Sequence, residues 1–211
     1  MKLVGLGGGI GAGKSSVSAR LAAKGAVVVD ADLIARWVVQ PTGPAYAGLV
    51  ACFGTGVLQE DGTLNRAALA KIVFNDADAL ADLNKITHPA INAEIARQIE
   101  VHRGTDAVVV LDAALLFIVP VVMIAKMIVD VDPEIAIARL VAQRGFGEDD
   151  ARSRIRNQMS REERLSQADL VIDNSGTPEA LDTEVERVWT WIATLSDSED
   201  TASDPAPAAA G

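Results

Sequence analysis

The chain is poor in sulfur, in histidine and in positive charge. Cys52 is the single cysteine of 211 residues, which excludes an internal disulfide. With two histidines and no Cys/His spacing of a metal site, the composition reads as intracellular, and a buried structural thiol is the expectation for Cys52. Lys and Arg number 19 against 29 acids, a formal charge of -10. Such a surface repels nucleic acid and anionic membrane, so a polyanionic substrate has to be held by a local basic patch. No secretory leader pattern precedes the first apolar residues, pointing to the cytoplasm. No apolar run is long enough to span a bilayer. The longest uncharged stretch, Ala113 to Ala125, is short and broken by Pro120, and reads as a buried core segment. Hydrophobic residues make up 49% and charged residues 23%, enough for a sizeable core.

What is present begins at the N-terminus. Gly8-Gly9-Ile10-Gly11-Ala12-Gly13-Lys14-Ser15 follows the apolar run Leu3-Val4-Gly5-Leu6 and precedes a helical pattern, the sequence and setting of a P-loop. Glycines let backbone N–H groups approach phosphate oxygens, and the helix start adds its dipole. Gly9, Gly11, Ala12, Gly13, Lys14, Ser15 and Ser16 are therefore the nucleotide-binding candidates, ATP being the expected ligand. Lys14 would reach the β and γ phosphates and Ser15 would ligate Mg2+.

Lys14 to Lys24 has helical composition and stops at Gly25. Ala26 to Asp30, Ala107 to Leu111, Met127 to Val131 and Leu170 to Ile172 are apolar runs of the buried parallel-strand kind. Strands alternating with helices predict a three-layer α/β fold around a five-stranded parallel sheet. About residues 33–105 form a mostly helical insert, with helical stretches from Asn65 through Ile99. The last helix starts at Thr177-Pro178, with Leu181, Val185, Val188, Ile192 and Leu195 on its packing stripe and Trp189 and Trp191 as packing residues. Residues 196–211 are small, acidic and Pro/Ala-rich, and are expected to be disordered.

Ligands of open parallel sheets sit at the carboxyl ends of the strands, where this chain places acids. Asp32 has two readings: N-cap of a helix Leu33 to Val39, or a carboxylate that orients an attacking hydroxyl and takes its proton. A bound γ-phosphate favours the second. Asp112 has the position of an acid holding the magnesium shell, or of a solvated strand end. Seven arginines against five acids fall between Arg139 and Arg164. Arg152 and Arg156 read as a solvated face with Glu148, Asp149 and Asp150, whereas Arg139, Arg144 and Arg161 are the phosphate candidates. Gly145-Phe146-Gly147 supplies a hinge, so residues 143–165 read as a closing lid. His88 precedes Pro89 on the insert and is structural or substrate-facing; His102 is expected to be exposed.

This ordered set resembles the dephospho-coenzyme A kinases from Met1 to about Leu195, a kinase domain of core 1–32, 106–142 and 166–195 with insert and lid. The resemblance rests on the P-loop, Asp30-Ala31-Asp32-Leu33-Ile34-Ala35-Arg36, His88-Pro89, Leu115-Leu116, Gln143-Arg144-Gly145, Gln158 with Arg161, and Ala168-Asp169 leading to Asp173-Asn174-Ser175-Gly176. It implies a nucleoside-monophosphate-kinase-like fold and transfer of the ATP γ-phosphate to the ribose 3′-hydroxyl of dephospho-coenzyme A. By that match Asp32 is the base, Lys14 and Arg139 stabilise the transferring phosphate, Asn174 lies against the adenine with Arg144 on the nucleotide, and Arg36, His88 and Arg161 serve the acceptor. A monomer or weak homo-oligomer without nucleic-acid or membrane partner is expected. The chain departs from the family at Gly7, where members carry Thr. It departs again at Ala114 and Ile118, where they carry the Pro and Glu of Pro-Leu-Leu-x-Glu. The rival readings are another small P-loop kinase for a nucleoside, nucleotide or polyol, and a catalytically silent nucleotide binder.

Overall fold

The structure, a computed structural model, describes residues 1–197, and the backbone alone at Ile118. All but the first two residues of the expected 196–211 tail lie outside the described residues. The chain divides into two units: Met1–Val29 with the chain from His102 onward, and Asp30–Val101.

In the first unit β1 (Lys2–Gly8), β2 (Val27–Asp30), β3 (Val108–Asp112), β4 (Ala125–Asp130) and β5 (Leu170–Asp173) form one sheet in the order β2-β3-β1-β4-β5. The pairs β1/β3, β1/β4 and β4/β5 are parallel, with Leu6 opposite Asp112 and Gly8 opposite Val129. The central strands β1, β3 and β4 are buried along nearly their whole length, as apolar strands covered on both faces are. On one side, α1 (Lys14–Ala23) and α9 (Pro178–Thr194) bring Val17, Leu21, Leu181, Val185, Val188 and Ile192 onto Val4, Leu6 and Met127. Burying each such side chain contributes about 1.5–3 kcal/mol. Thr177 caps α9 through Ala180 N at 3.3 Å, and Trp189 and Trp191 pack against this core.

The apolar segment 113–125 divides its residues. Ala113, Leu116 and Ala125 are buried, while Leu115 and Val122 are 66% and 85% exposed, so only part of the segment is core. Leu116 and Met123 lie directly on β1: a Cβ at Gly5 would sit 2.6 Å from Met123 Sδ and 2.8 Å from Leu116 Cδ1. The lid region is α6 (Pro133–Arg144), α7 (Glu148–Arg156) and α8 (Arg161–Ser166). Gly145 ends α6 in the left-handed region at φ 68°, a conformation that glycine adopts without strain. Ile137, Leu140 and Ala151 form a small core there with Ile10, Phe146 and Ile155.

The second unit holds α2 (Ala31–Trp37), α3 (Tyr46–Phe53), a 3-10 turn at Thr55–Val57, α4 (Arg66–Asn75) and α5 (Ala77–Glu100). Each of α2, α4 and α5 starts with a side-chain cap: Asp30, Asn65 and Asp76 accept from Leu33, Ala68 and Ala79 amides. Asp30, the last residue of β2, thus caps α2, two residues earlier than the capping reading of Asp32 required. Asp32 lies in the first turn of the helix. Cys52 is exposed on α3, contrary to the expected buried thiol, because the buried position of that helix is Leu49. His102, expected at the surface, is half-buried. Among the described residues no helix is long and apolar enough to cross a membrane.

Candidate active site

The loop after β1 has its shape from glycine. Gly11 and Gly13 sit at φ 79° and 81°, where any side chain is strained. A Cβ at Gly11 would lie 2.9 Å from the Ala136 carbonyl, and Asn174 Nδ2 fills the space a Cβ at Gly13 would need. Within the loop, Ala12 N donates to Gly9 O at 3.1 Å and Ser16 N to Gly13 O at 2.9 Å. Those two amides close turns, while the N–H groups of Gly11, Gly13 and Ser15 have no hydrogen-bond acceptor among the described residues. They gather at the start of α1, where an anion is favoured.

Lys14 Nζ pairs with Asp112, which is 3% exposed at the end of β3. The carboxylate is therefore no solvated strand end. Stripping either partner from such a buried pair costs about 3–5 kcal/mol, so the pair fixes the lysine side chain across the mouth of the loop. The exposed Ser15 hydroxyl and Asp112 are the oxygen donors that suit Mg2+; among the described residues no cluster of three His, Cys, Asp or Glu exists to hold a metal alone. A two-oxygen set fits an ion that keeps waters and arrives with phosphates.

Asn174 ties the other limb. Its Nδ2 donates to Ala12 O at 2.8 Å, its backbone N donates to Asp130 O at 2.9 Å, and its carbonyl accepts from Arg139 Nη2 at 2.8 Å. Arg139 Nη1 is buried without a partner, a donor whose desolvation costs about 1–3 kcal/mol until something accepts from it.

From α7 and α8 come contacts that composition alone leaves undistinguished. Ile10 N donates to Gln158 Oε1 at 2.9 Å. Arg161 grips Asp130 with Nε–Oδ1 at 2.9 Å and Nη2–Oδ2 at 2.6 Å, and its guanidinium is held more firmly charged by that pairing. Arg164 Nη1 donates to Met159 O at 3.0 Å, while its Nε is buried without a partner. Desolvation lowers the basicity of Arg164, with the Asp130 charge opposing. A cavity of about 280 Å³ opens here, lined by Gly9, Ile10, Asp130, Met159, Arg161 and Arg164 among others. The signal for Arg164 in the sequence was its i+3 spacing from Arg161, and for Gln158 its place three residues before it.

Arg144 is exposed at the end of α6 and makes no hydrogen bond or ion pair among the described residues. Arg152 pairs with Glu134 and Glu148 as expected of a solvated face, but the partner of Asp150 is Arg154, and Arg156, expected on that face, lines the cavity beside the loop. On the other unit, Arg36 is exposed in the last turn of α2, and His88 is exposed on α5 beside Pro89.

The family model described as dephospho-CoA kinase (CoaE) matches residues 2–179. A dephospho-CoA kinase of Streptomyces avermitilis is 48% identical over 192 residues, covering 90% of this chain and 93% of the relative. One from Thermobifida fusca is 47% identical over 191 residues, covering 90% and 95%. Among solved structures, TT1252 from Thermus thermophilus superposes with a TM-score of 0.78 at 28% identity, over 90% of this chain and 97% of that one. The P-loop with its clamps lies wholly within the matched span, and the chain belongs to the dephospho-CoA kinase family.

Proposed function

We propose that the chain transfers the γ-phosphate of ATP to the ribose 3′-hydroxyl of dephospho-coenzyme A, giving coenzyme A and ADP. The observation that carries this reading is the pre-set phosphate cradle: Lys14 anchored on Asp112, with the free amides of Gly11, Gly13 and Ser15 at a helix start. In a loose phosphoryl-transfer transition state there is little covalent work for the protein, and positioned charge does most of the catalysis. Lys14 binds the β and γ phosphates. Arg139 brings its unsatisfied Nη1 to the phosphate chain, and Asn174 lies at the adenine end. Asp32 accepts a hydrogen bond from the attacking 3′-hydroxyl and takes its proton as the new P–O bond forms. Asp30 fills the α2 capping role that the alternative reading gave to Asp32. Arg36, His88 and Arg161 serve the acceptor, and Arg144 the nucleotide. Mg2+, held through Ser15 and Asp112, would neutralise developing charge on the β and γ oxygens.

The surface charge supports an anionic small-molecule substrate bound at one local cationic site, with no nucleic acid or membrane partner, in a cytoplasmic monomer or weak homo-oligomer. The test is ADP release from ATP and magnesium with dephospho-coenzyme A, adenosine, AMP or shikimate as acceptor, with product mass. Release with dephospho-coenzyme A alone, and the mass of coenzyme A, is the expected result. Release with another acceptor makes the chain a different small-molecule kinase. ATP binding without any release makes it a silent binder.

A further inference from the structure

We propose that Gln158 is a positioning residue for phosphate transfer: its side-chain carbonyl pins the Gly9–Ile10 peptide of the P-loop and so aims the Gly11 N–H at the nucleotide. It acts through the loop backbone and touches no ligand itself. The proposal rests on the kinase reading above.

Ile10 is the loop residue held from outside the loop at both its side chain and its amide. Its side chain packs on the small core of Ile137, Leu140 and Ala151, beside Phe146 and Ile155. Its N–H donates to Gln158 Oε1 at 2.9 Å, from the turn between α7 and α8. The carbonyl of the same peptide, Gly9 O, accepts from Ala12 N at 3.1 Å. Both edges of the Gly9–Ile10 peptide plane are thus pinned, one from within the loop and one by Gln158. Gly9 has no Cβ to restrain its own backbone, so the pin on the N–H edge has to come from elsewhere.

The next peptide is the one that meets an anion. Gly11 supplies an N–H without a protein acceptor, and that N–H is carried on the Ile10 carbonyl carbon. On its far side Gly11 sits at φ 79°, where a Cβ would lie 2.9 Å from the Ala136 carbonyl oxygen. With Ile10 fixed before it and Gly11 seated after it, the Ile10–Gly11 peptide is bounded at both ends. A preorganised donor of this kind needs no reorientation when charge arrives. The chemistry of the pin matters as well as its reach. A carboxamide oxygen accepts from the loop without bringing a negative charge to a cavity lined by Gly9, Ile10 and Ala12, whereas a carboxylate would make the same contact and repel a polyanion.

The full chain is compared as wild type, Gln158→Met and Gln158→Glu; Gln158 is exposed, so neither change touches the core. Met keeps the length and loses the acceptor, while Glu keeps the acceptor and adds charge. The readouts are hydrogen exchange of the Ile10 amide without nucleotide, calorimetric binding of tripolyphosphate with magnesium, and steady-state kinetics. In Gln158→Met, exchange at Ile10 should quicken about three- to tenfold, the scale of one hydrogen bond. Tripolyphosphate affinity and kcat/KM for ATP should fall by a similar factor, with KM for dephospho-coenzyme A nearly unchanged. In Gln158→Glu, exchange should stay as slow as in wild type while tripolyphosphate affinity falls further than in Gln158→Met. A contact that only stabilises the fold would not part those two readouts. Equal exchange at Ile10 in wild type and Gln158→Met, or faster exchange with unchanged tripolyphosphate binding and kcat/KM, overturns the proposal. So does a wild type that binds no tripolyphosphate, or a Gln158→Glu variant that binds it as wild type does. If the wild type binds tripolyphosphate but fails to phosphorylate dephospho-coenzyme A, the functional reading falls, and exchange and tripolyphosphate binding still decide the role of Gln158.

Discussion

Asn174 donates its side-chain amide to the carbonyl of Ala12 at 2.8 Å, joining two positions 162 residues apart in the chain. One hydrogen bond therefore ties the end of β5 to the middle of the P-loop, and Gly13 has no Cβ because that amide occupies the space.

Asn174→Asp keeps the shape and replaces the donor by a carboxylate facing a carbonyl oxygen. Loss of a buried hydrogen bond with an unsatisfied partner costs about 1–3 kcal/mol, so the melting temperature should drop. Affinity for tripolyphosphate, which has no adenine, should weaken along with affinity for ATP. Weakened ATP binding with tripolyphosphate unaffected would instead make Asn174 an adenine contact and nothing more.

Asp30 and Asp32 should separate cleanly. Asp30→Ala removes the α2 cap and is expected to cost about 1 kcal/mol of stability, the usual value of such a cap. Asp32→Asn is expected to leave ATP binding in place and cut phosphate transfer by about 10²-fold or more. Turnover near wild type in Asp32→Asn would remove Asp32 from the mechanism.

This pair also marks what the sequence could reveal. The P-loop, the five strands and the helices of the insert were legible because local periodicity, glycine spacing and capping residues act within a few positions of themselves. Which acid of Asp30-Ala31-Asp32 caps the helix was not, since strand and helix meet there with no intervening loop and either residue type serves. The Arg161–Asp130 pair and the Gln158–Ile10 contact were equally hidden. They join residues 31 and 148 positions apart, and an arginine looks the same in sequence whether its charge is matched or free. Cys52 was misread for a similar reason: α3 is apolar nearly throughout, and which side is covered is decided by the elements packed on it.

The insert should show a measurable acid response at Glu94. Arg97 donates to both its oxygens, at 2.8 and 2.7 Å, and Gln98 adds a third bond, holding the carboxyl at about 2 against an ordinary 4.5. A lowered folded-state pKa stabilises fully above the unfolded value and is lost as pH falls toward the folded one. Wild type should therefore melt above Glu94→Gln at pH 7, with the gap narrowing below about pH 4.5 and closing near pH 2. Arg97 is exposed, so the gap should amount to under about 1 kcal/mol and shrink in salt. An equal gap at pH 7 and pH 2 would show that the side chain acts by packing.

Gly7 stands where the family resemblance leads one to expect threonine, and the packing around it tells what a threonine would meet. A Cβ at Gly7 would lie 2.9 Å from Ile128 Cδ1 on the adjoining strand and 3.4 Å from Leu116, both fully buried. The apolar 113–125 segment thus takes up the room that glycine leaves on β1. Gly7→Thr should destabilise by about 1–3 kcal/mol, the range for overpacking a filled core. Ile128→Val alone costs about 0.5–1.5 kcal/mol by removing the Cδ1 methyl. Combined, the two should cost less than their sum, by a coupling of about 0.5–3 kcal/mol readable from a chemical-denaturation cycle. Strict additivity would mean that the threonine finds room by moving Leu116 instead. In that case Leu116→Ala, and not Ile128→Val, should relieve the Gly7→Thr strain.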